Sequence, residues 1–368
     1  MKKPTFLGRI HRKEVGMVYA GLDLHRRYSV ITVIDEDGYI LRQKRLPNDE
    51  SIIDFLQSLG EPVQVAVEAT RNWYWLYDLL DAHNIEVKLS HPLKTRAIAA
   101  ARIKTDRLDA HTLAQLLRSR LLPCSYIPDR STRHQRELLR YRASLVKLQT
   151  GIKNRIHTLL AKNNISHRYT DLFGNAGMAF LSQLQLPEPY QDILDSYLNL
   201  LAAIRKEIAK ADHQIRSLAR EDELVRLLTT VLGISYYSAL LIRAEIGEIN
   251  RFPSAKKLAA YAGLIPATYA SGGRVYHGHI TKQGSRYLRW ILIQAVMHII
   301  RRPGLLRQFF RRIARRKGPK VARVAVTRKL LTWIYYMLKE RKPFEEIAYE
   351  QACRVSPPMN LVRRRPLI

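Results

Sequence analysis

The sequence predicts an α/β domain followed by a mainly α-helical region. Over roughly the first third of the chain, short strand-like apolar runs alternate with helical segments. From about residue 133, apolar residues recur at three- and four-residue spacing over long stretches, which is typical of amphipathic helices. A chain of 368 residues with 46% hydrophobic content can form two or three domains.

The N-terminal region, residues 1–125, begins with an antiparallel pattern. Three extended segments come first: VYAGLDLH, YSVITVID and YILRQKRLP. A short helix, the β-branched run VQVAVEA, an aromatic-rich helix and the strand IEVKLS follow them. Because strand and helix alternate in this second part, we expect a partly parallel sheet covered by helices.

Three further regions follow the Pro- and Ser-rich loop LLPCSYIPDRST. Residues 126–220 predict two long antiparallel helices, which form a coiled coil or a dimerisation arm. Residues 221–300 contain a helix, a glycine turn and a second helix; this pattern occurs in phosphate-binding modules and in plain helical pairs. Residues 301–368 predict a basic helical tail.

The charge of the chain predicts a polyanionic partner. Lys and Arg number 62 against 32 Asp and Glu, so the formal net charge is +30. Nucleic acid is the expected partner, with ribosomal assembly and anionic membrane surfaces as alternatives. The tail has 19 Lys and Arg, 4 Glu and no Asp, a net charge of 19 − 4 = +15. We expect it to lie along a phosphate backbone, the alternative being a solvated helical face.

Cysteine usage and hydropathy predict the compartment. Cys124 and Cys353 lack the paired spacing of a zinc site or a disulfide framework. The N-terminus lacks an apolar segment of signal length, and no run approaches the ~20 apolar residues of a membrane span. These features predict a soluble, cytoplasmic protein with no membrane partner.

Four carboxylates are candidate metal ligands. Asp23 lies in the first predicted strand, Glu68 ends the fourth, and Asp106 and Asp109 lie three residues apart on a predicted helix. Individually, Asp23 also fits a solvated edge position, and the helical pair fits N-terminal capping. Acids on a first strand, a fourth strand and a later helix are the arrangement of RNase H-like nucleases. Four clustered carboxylates need a cation such as Mg²⁺, which prefers oxygen ligands.

The second candidate site is the segment GLIPATYASGGRVYHGHITKQGSRYLR. Its Ser271 precedes Gly272 and Gly273, a pattern that fits a loop approaching phosphate or an ordinary hairpin turn. Lys282 and Arg286 lie on or just before a predicted helix, where they can clamp a phosphate or face solvent.

In their order and spacing, GLDLH, VAVEAT, KTDRLDA and this glycine-rich segment resemble the transposases of the IS110/IS1111 insertion-sequence family. The resemblance covers about residues 18–300. It implies a RuvC-like N-terminal domain with an Asp-Glu-Asp-Asp metal site, which matches Asp23, Glu68, Asp106 and Asp109, with Mg²⁺ or Mn²⁺ as the cation. The C-terminal part is then the transposase domain.

The resemblance also implies a mechanism. It places a nucleophilic serine, which forms a covalent link to DNA, at Ser271. It further implies a homo-oligomer, dimer or tetramer, in which the metal site of one subunit meets the serine of another, and a bridge RNA that selects the DNA. This chain departs from many relatives after Asp23, where His25 has an open role. A nuclease that uses water and a non-catalytic nucleic-acid-binding protein are the alternatives.

Overall fold

The computed structural model describes residues 16–99 and 105–355, with side chains described to residue 350. Within this part the chain forms two compact units, the first ending at Ile127 and the second beginning at Pro128. The first unit contains a mixed sheet with helices, and the second is largely helical. The predicted combination of an α/β part and an α part is therefore confirmed.

The sheet of the first unit has five strands. They are β1 (Val18–Leu24), β2 (Tyr28–Ile34), β3 (Ile40–Pro47), β4 (Val63–Glu68) and β5 (Glu86–Ser90). Their order is β3-β2-β1-β4-β5. The first three pair antiparallel, while β4 pairs parallel with both β1 and β5. The predicted antiparallel start and partly parallel sheet are thus both present.

Helices cover both faces of this sheet. They are α1 (Ser51–Gln57), α2 (Trp73–Ala82), α3 (Pro92–Ile98) and α4 (Asp106–Arg118). Apolar residues of α1 and α2 pack with Leu22 and Val65 on one face. Leu113 and Leu117 of α4 pack with Ala66 on the other. Because successive side chains of a strand point to opposite faces, Asp23 and Glu68 share the face that α4 covers.

The second unit contains one two-stranded hairpin among its helices. Its elements are α5 (Arg130–Lys162), α6 (Asn175–Gln183), α7 (Tyr190–Glu221), α8 (Glu223–Thr229), α9 (Tyr236–Ile246), a 3₁₀ turn (Ile249–Arg251), α10 (Ala255–Tyr261), β6 (Pro266–Ser271), β7 (Arg274–Ile280), α11 (Arg286–Ile299), α12 (Leu305–Glu340) and α13 (Phe344–Val355). Among the described residues, no helix has the combined length and apolarity that crossing a membrane requires.

The two longest predicted helices of the middle region are present as α5 and α7. Arg142 of α5 binds Asp212 of α7 at 2.9 Å, and Ile156 clusters with Leu201. The partner's number falls as the α5 number rises, so the two helices run antiparallel. Self-association through them stays a prediction.

The region predicted as a basic tail has two parts. Helix α12 is interrupted at Gly318, whose φ is +80°, directly before Pro319. Beyond this kink, Leu330 and Ile334 are fully buried in the same core as Leu292 of α11. The segment is therefore in part a core element, because its apolar residues at helical spacing are buried, while Arg311, Arg312, Arg315 and Arg316 before the kink are exposed. Residues 356–368 of the predicted tail lie outside the described residues.

Candidate metal centre

The carboxylates predicted from sequence lie on three elements of the first unit. Leu22 of β1 pairs with Val67 of β4 in a parallel register, so Asp23 and Glu68 follow at the same end of adjacent strands. Asp106 and Asp109 lie in the first turn of α4. That helix is capped by Thr105, whose hydroxyl accepts from the backbone of Leu108 at 3.2 Å. Thr105, and not Asp106 or Asp109, is therefore the N-cap residue of α4.

A close backbone contact holds α4 on β1. A Cβ at Gly21 would lie 1.9 Å from the carbonyl oxygen of Ala110 and 2.5 Å from the nitrogen of Ala114. Only glycine fits such a contact without displacement of the helix. This contact brings the first turn of α4 next to the end of β1, where Asp23 lies.

We expect Gly21→Ala to destabilise the first unit by about 1–3 kcal/mol, because the added methyl group displaces α4 from the sheet. Thermal unfolding measures the change. Gly151→Ala is the matched control, since its new methyl group meets only the mobile end of Arg155 at 3.2 Å. Equal unfolding temperatures for Gly21→Ala and the wild type would contradict the proposed role of this contact.

Two of the carboxylates meet at a histidine. His25 Nε2 lies 3.0 Å from Asp23 Oδ2 and 3.2 Å from Asp106 Oδ2. Ligand atoms of these three residues all lie within 4.8 Å of one another, the spacing of a metal-binding group. The Tyr28 hydroxyl also donates to Asp106 Oδ2 at 3.0 Å, and its ring lies 4.7 Å from the His25 ring.

The turn that carries His25 is fixed by two asparagines from other loops. Asn48 and Asn72 donate to the His25 carbonyl at 2.9 and 3.1 Å. Ser29 donates to the Asn48 side chain at 2.7 Å, and Thr70 to the Asn72 side chain at 3.1 Å. Three loops at the same end of the sheet therefore determine where His25 lies.

The electrostatics of the cluster favour a bound cation. Burial raises the pKa of Asp23 above its ordinary value; the adjacent His25 lowers it, and the charges of Asp106 and Asp109 raise it further. A cation at the cluster would offset both the burial of charge and the repulsion between carboxylates. The oxygen donors of the two aspartates fit a hard divalent ion, which prefers them to the imidazole nitrogen of His25.

The structure thus brings the sequence candidates together to different degrees. Asp23 and Asp106 share the cluster, and Asp109 is near enough to raise the pKa of Asp23. Glu68 ends the adjacent strand without belonging to the cluster of described residues. His25, whose role the sequence left open, lies between the two carboxylates. Its only sequence signal is its position two residues after Asp23 at a strand end.

We expect His25→Ala to destabilise the metal-free protein by about 1 kcal/mol, because it removes the hydrogen bond to Asp23 and the imidazole that lies between the two carboxylates. Mg²⁺ should then raise the unfolding temperature of this variant more than that of the wild type. The control is His83→Ala, which removes an exposed imidazole whose hydrogen bond, among the described residues, is to Leu79 of its own helix. If Mg²⁺ raises the unfolding temperatures of His25→Ala and the wild type equally, His25 does not influence metal binding at the carboxylates.

Ser271 lies at the tip of the β6–β7 hairpin in the second unit. It pairs with Arg274 across a two-residue turn of Gly272 and Gly273, whose φ angles are +54° and +77°. Both angles positive define the tight turn that glycine permits. The hairpin-turn interpretation of the Ser-Gly-Gly segment is therefore correct for its backbone, and the side chain of Ser271 is exposed. Phosphate binding by the two glycines stays a prediction.

The base of the hairpin is anchored to a buried glutamate. Glu245 of α9 is 1% exposed and pairs with Arg140 of α5 at 2.8 Å. Ser285, which caps α11, donates to the same carboxylate at 2.8 Å. Lys282 lies in this anchored loop and Arg286 begins α11, as predicted from the sequence, and their contact with phosphate stays a prediction.

Known proteins that are similar to this chain include transposases of insertion sequences. Residues 20–164 match a family model described as a transposase of the DEDD type from IS110 elements, and residues 225–311 match the transposase IS116/IS110/IS902 family. A probable family 20 transposase of Pseudomonas aeruginosa is 28% identical over 76% of this chain and 83% of its own length. The transposase of element IS1111A from Coxiella burnetii is 21% identical over 88% of this chain and 90% of its own. The transposase of element IS1328 from Yersinia enterocolitica is 27% identical over 74% of this chain and 81% of its own length.

Proposed function

Because the chain belongs to the IS110 family of insertion-sequence transposases, we propose that it cuts and rejoins DNA at the ends of a mobile element by attack of Ser271, at a site that depends on its carboxylate cluster. The observation that carries the proposal is the convergence of Asp23 and Asp106, from a strand and a distant helix, on His25. A DEDD-type domain implies dependence on a divalent metal.

The arrangement of the first unit supports a RuvC-like, RNase H-like assignment. Its sheet has three antiparallel strands followed by two parallel ones. Helix α4, which packs on the first strand, contains Asp106 and Asp109 in its first turn. Asp23 and Glu68 lie at the carboxyl ends of adjacent parallel strands, where α/β sheets commonly place active groups.

Asp23, Glu68, Asp106 and Asp109 are the residues that would hold the metal, with Mg²⁺ or Mn²⁺ as the proposed ion. A divalent ion bound there would supply Lewis-acid stabilisation of charge on phosphate oxygens. The chain itself supplies the orientation: the Gly21 contact sets α4 against β1, and Asn48 and Asn72 hold the turn of His25.

Ser271 is the proposed nucleophile. Attack of its hydroxyl oxygen on a phosphodiester forms a serine–phosphate bond and breaks the bond from phosphorus to one deoxyribose oxygen. The proton lost by the serine balances the one gained by the released deoxyribose hydroxyl. A second attack by a DNA hydroxyl on the serine phosphate rejoins the strand and restores Ser271. The exposed position of this side chain at the hairpin tip supports access to DNA.

Two partners belong to the same proposal. A bridge RNA that selects donor and target DNA is compatible with a net charge of +30, which suits two nucleic acids at once. Self-association into a dimer or tetramer is supported by the long helices α5 and α7, on which Leu148 and Leu200 are more than half exposed.

A nuclease that uses water is the second candidate. It is favoured by the tight hairpin turn beside Ser271, since such a turn has a purely structural explanation. In that case the carboxylate cluster alone supports cleavage.

The deciding experiment incubates the purified protein with circular junction DNA of its element, Mg²⁺ and RNA from the flanking non-coding segment. A protein–DNA adduct on a denaturing gel supports the serine mechanism. Cleavage without an adduct supports the nuclease, and binding without cleavage supports a non-catalytic nucleic-acid-binding protein.

A further inference from the structure

The β6–β7 hairpin has two faces with different surroundings. Tyr269 pairs with Tyr276 and Ser271 pairs with Arg274. Because residues two apart on a strand share a face, these four side chains lie on one face of the hairpin. We call this the tyrosine face. It places two aromatic rings and a guanidinium beside the proposed nucleophile.

Both tyrosines are largely exposed. Tyr269 has 66% and Tyr276 has 69% of its surface accessible, and their ring centroids lie 6.4 Å apart at an angle of 30°. Within the described residues neither hydroxyl has a hydrogen-bond partner. A cross-strand pair orders two rings without burying them, so their flat faces are available to a ligand.

The rest of the hairpin faces a different environment. Its base borders a cavity of about 1110 Å³, whose lining includes His277, His279 and Val321 of α12. No residue of the tyrosine face lines that cavity. On the opposite face, Thr268 and His277 bond to each other at 3.1 Å. The tyrosine face thus lies outside this cavity and is open to solvent, as is Val275 on the opposite face, which is 62% exposed.

The charge of the surrounding sequence identifies the class of ligand. Residues 249–339 contain 20 Lys and Arg and no Asp or Glu. Such a segment attracts a polyanion and repels basic partners. Aromatic rings beside an arginine, in a strongly basic segment, are the groups that bind nucleic-acid bases by stacking while contacting the backbone. Bases inside an intact duplex are already stacked, so the ligand must present a base that is unpaired or displaced.

We propose that Tyr269 and Tyr276 are positioning residues that stack on an unpaired base of the DNA strand, while Arg274 contacts the phosphate that Ser271 attacks. The proposal rests on the proposed function for the role of Ser271 alone. The stacking itself depends only on the geometry and charge of the tyrosine face. In this proposal the hairpin recognises an unpaired base next to the phosphate that is cleaved.

The test uses the full chain carrying Ser271→Ala without divalent metal, so that neither the serine nor a metal-activated water cuts the DNA and binding is measured independently of catalysis. The probes are a DNA duplex with a short single-stranded gap containing 2-aminopurine and the same duplex without the gap. We expect the double substitution Tyr269→Ala and Tyr276→Ala to weaken binding to gapped DNA about tenfold or more and to relieve quenching of the probe. Binding to the intact duplex should change less than about twofold, because phosphate contacts dominate it.

Three variants make the result specific. Tyr349→Ala removes a tyrosine of the same unit that is 72% exposed, and it should leave gapped-DNA binding unchanged. The double Tyr→Phe variant should retain tight binding, since phenylalanine keeps the stacking surface. Arg274→Ala should weaken binding to both the gapped and the intact DNA. Three results would each overturn the proposal. The double alanine variant could bind gapped DNA as tightly as its parent, or the alanine and phenylalanine variants could lose equal affinity. The third result is a loss of affinity for gapped RNA but not for gapped DNA.

A failure here is distinguishable from a failure of the serine mechanism. If Ser271 is not the nucleophile, the wild-type protein forms no covalent adduct with DNA. The protein still prefers gapped DNA to the intact duplex, and this preference still depends on the two tyrosines. If the tyrosines do not stack on a base, the adduct still forms and the gapped-DNA preference does not depend on the rings. Thermal unfolding of each variant should match that of the parent, because the two rings contribute little to the core.

Discussion

Ser271→Ala is expected to eliminate the covalent protein–DNA adduct and to reduce strand exchange by about 10⁴-fold or more. The substitution removes the only atom that forms the new bond to phosphorus in the proposed reaction. The side chain is exposed and lies on a turn whose geometry is set by Gly272 and Gly273, so folding should be unaffected. The measurement is adduct formation on a denaturing gel together with recovery of rejoined product.

Ser144→Ala is the matched control, because Ser144 is also exposed and bonds only to its own helix. It should form the adduct as the wild type does. Cleavage of DNA by Ser271→Ala at the wild-type rate would reject the serine mechanism and favour attack by water. Loss of DNA binding in Ser271→Ala would instead indicate that the hairpin had been disturbed, and circular dichroism together with thermal unfolding separates these two results.

Asp106→Asn is expected to reduce DNA cleavage about a thousandfold or more while DNA binding stays within about twofold. Asparagine keeps the size of the side chain but removes the charge that helps hold a divalent ion, and such an ion contributes several kcal/mol to charge stabilisation. The hydrogen bond from Tyr28 can persist, because the amide oxygen still accepts. Chelation of divalent metal from the wild-type protein should produce the same loss.

The control for this change is Asp54→Asn, which neutralises an exposed carboxylate of the same unit on α1. Metal affinity, measured by calorimetry with Mn²⁺, should fall for Asp106→Asn and stay constant for Asp54→Asn. Full cleavage activity in Asp106→Asn, or activity that survives complete chelation, would show that the cluster is not the catalytic centre.

The elements of the first unit could be predicted from sequence because their patterns are local. The alternation in YSVITVID and the apolar run VQVAVEA each specify a strand without reference to the rest of the chain. The grouping of Asp23 with Asp106 also followed, but only through resemblance to a family. The aspartates are separated by more than eighty residues, and spacing alone does not indicate that α4 returns to β1.

The features that sequence reasoning missed depend on tertiary contacts. Gly21 gives no sign of its importance until the carbonyl of Ala110 is seen against it. The role of His25 requires Asp106 from another element. In α12 seven arginines are interspersed with the apolar residues. The basic composition therefore hides the apolar spacing that buries Leu330 and Ile334 in the core.

Helix α12 carries its exposed arginines before the kink at Gly318 and most of its buried residues after it, although Leu306, before the kink, also belongs to the core. Before it, Arg311, Arg315 and Lys317 are exposed; after it, the helix is part of the core. We expect replacement of the exposed arginines before the kink to shorten the residence time on nucleic acid while every core side chain stays in place. Release of bound DNA from such a variant should be faster, and its unfolding temperature should match that of the wild type.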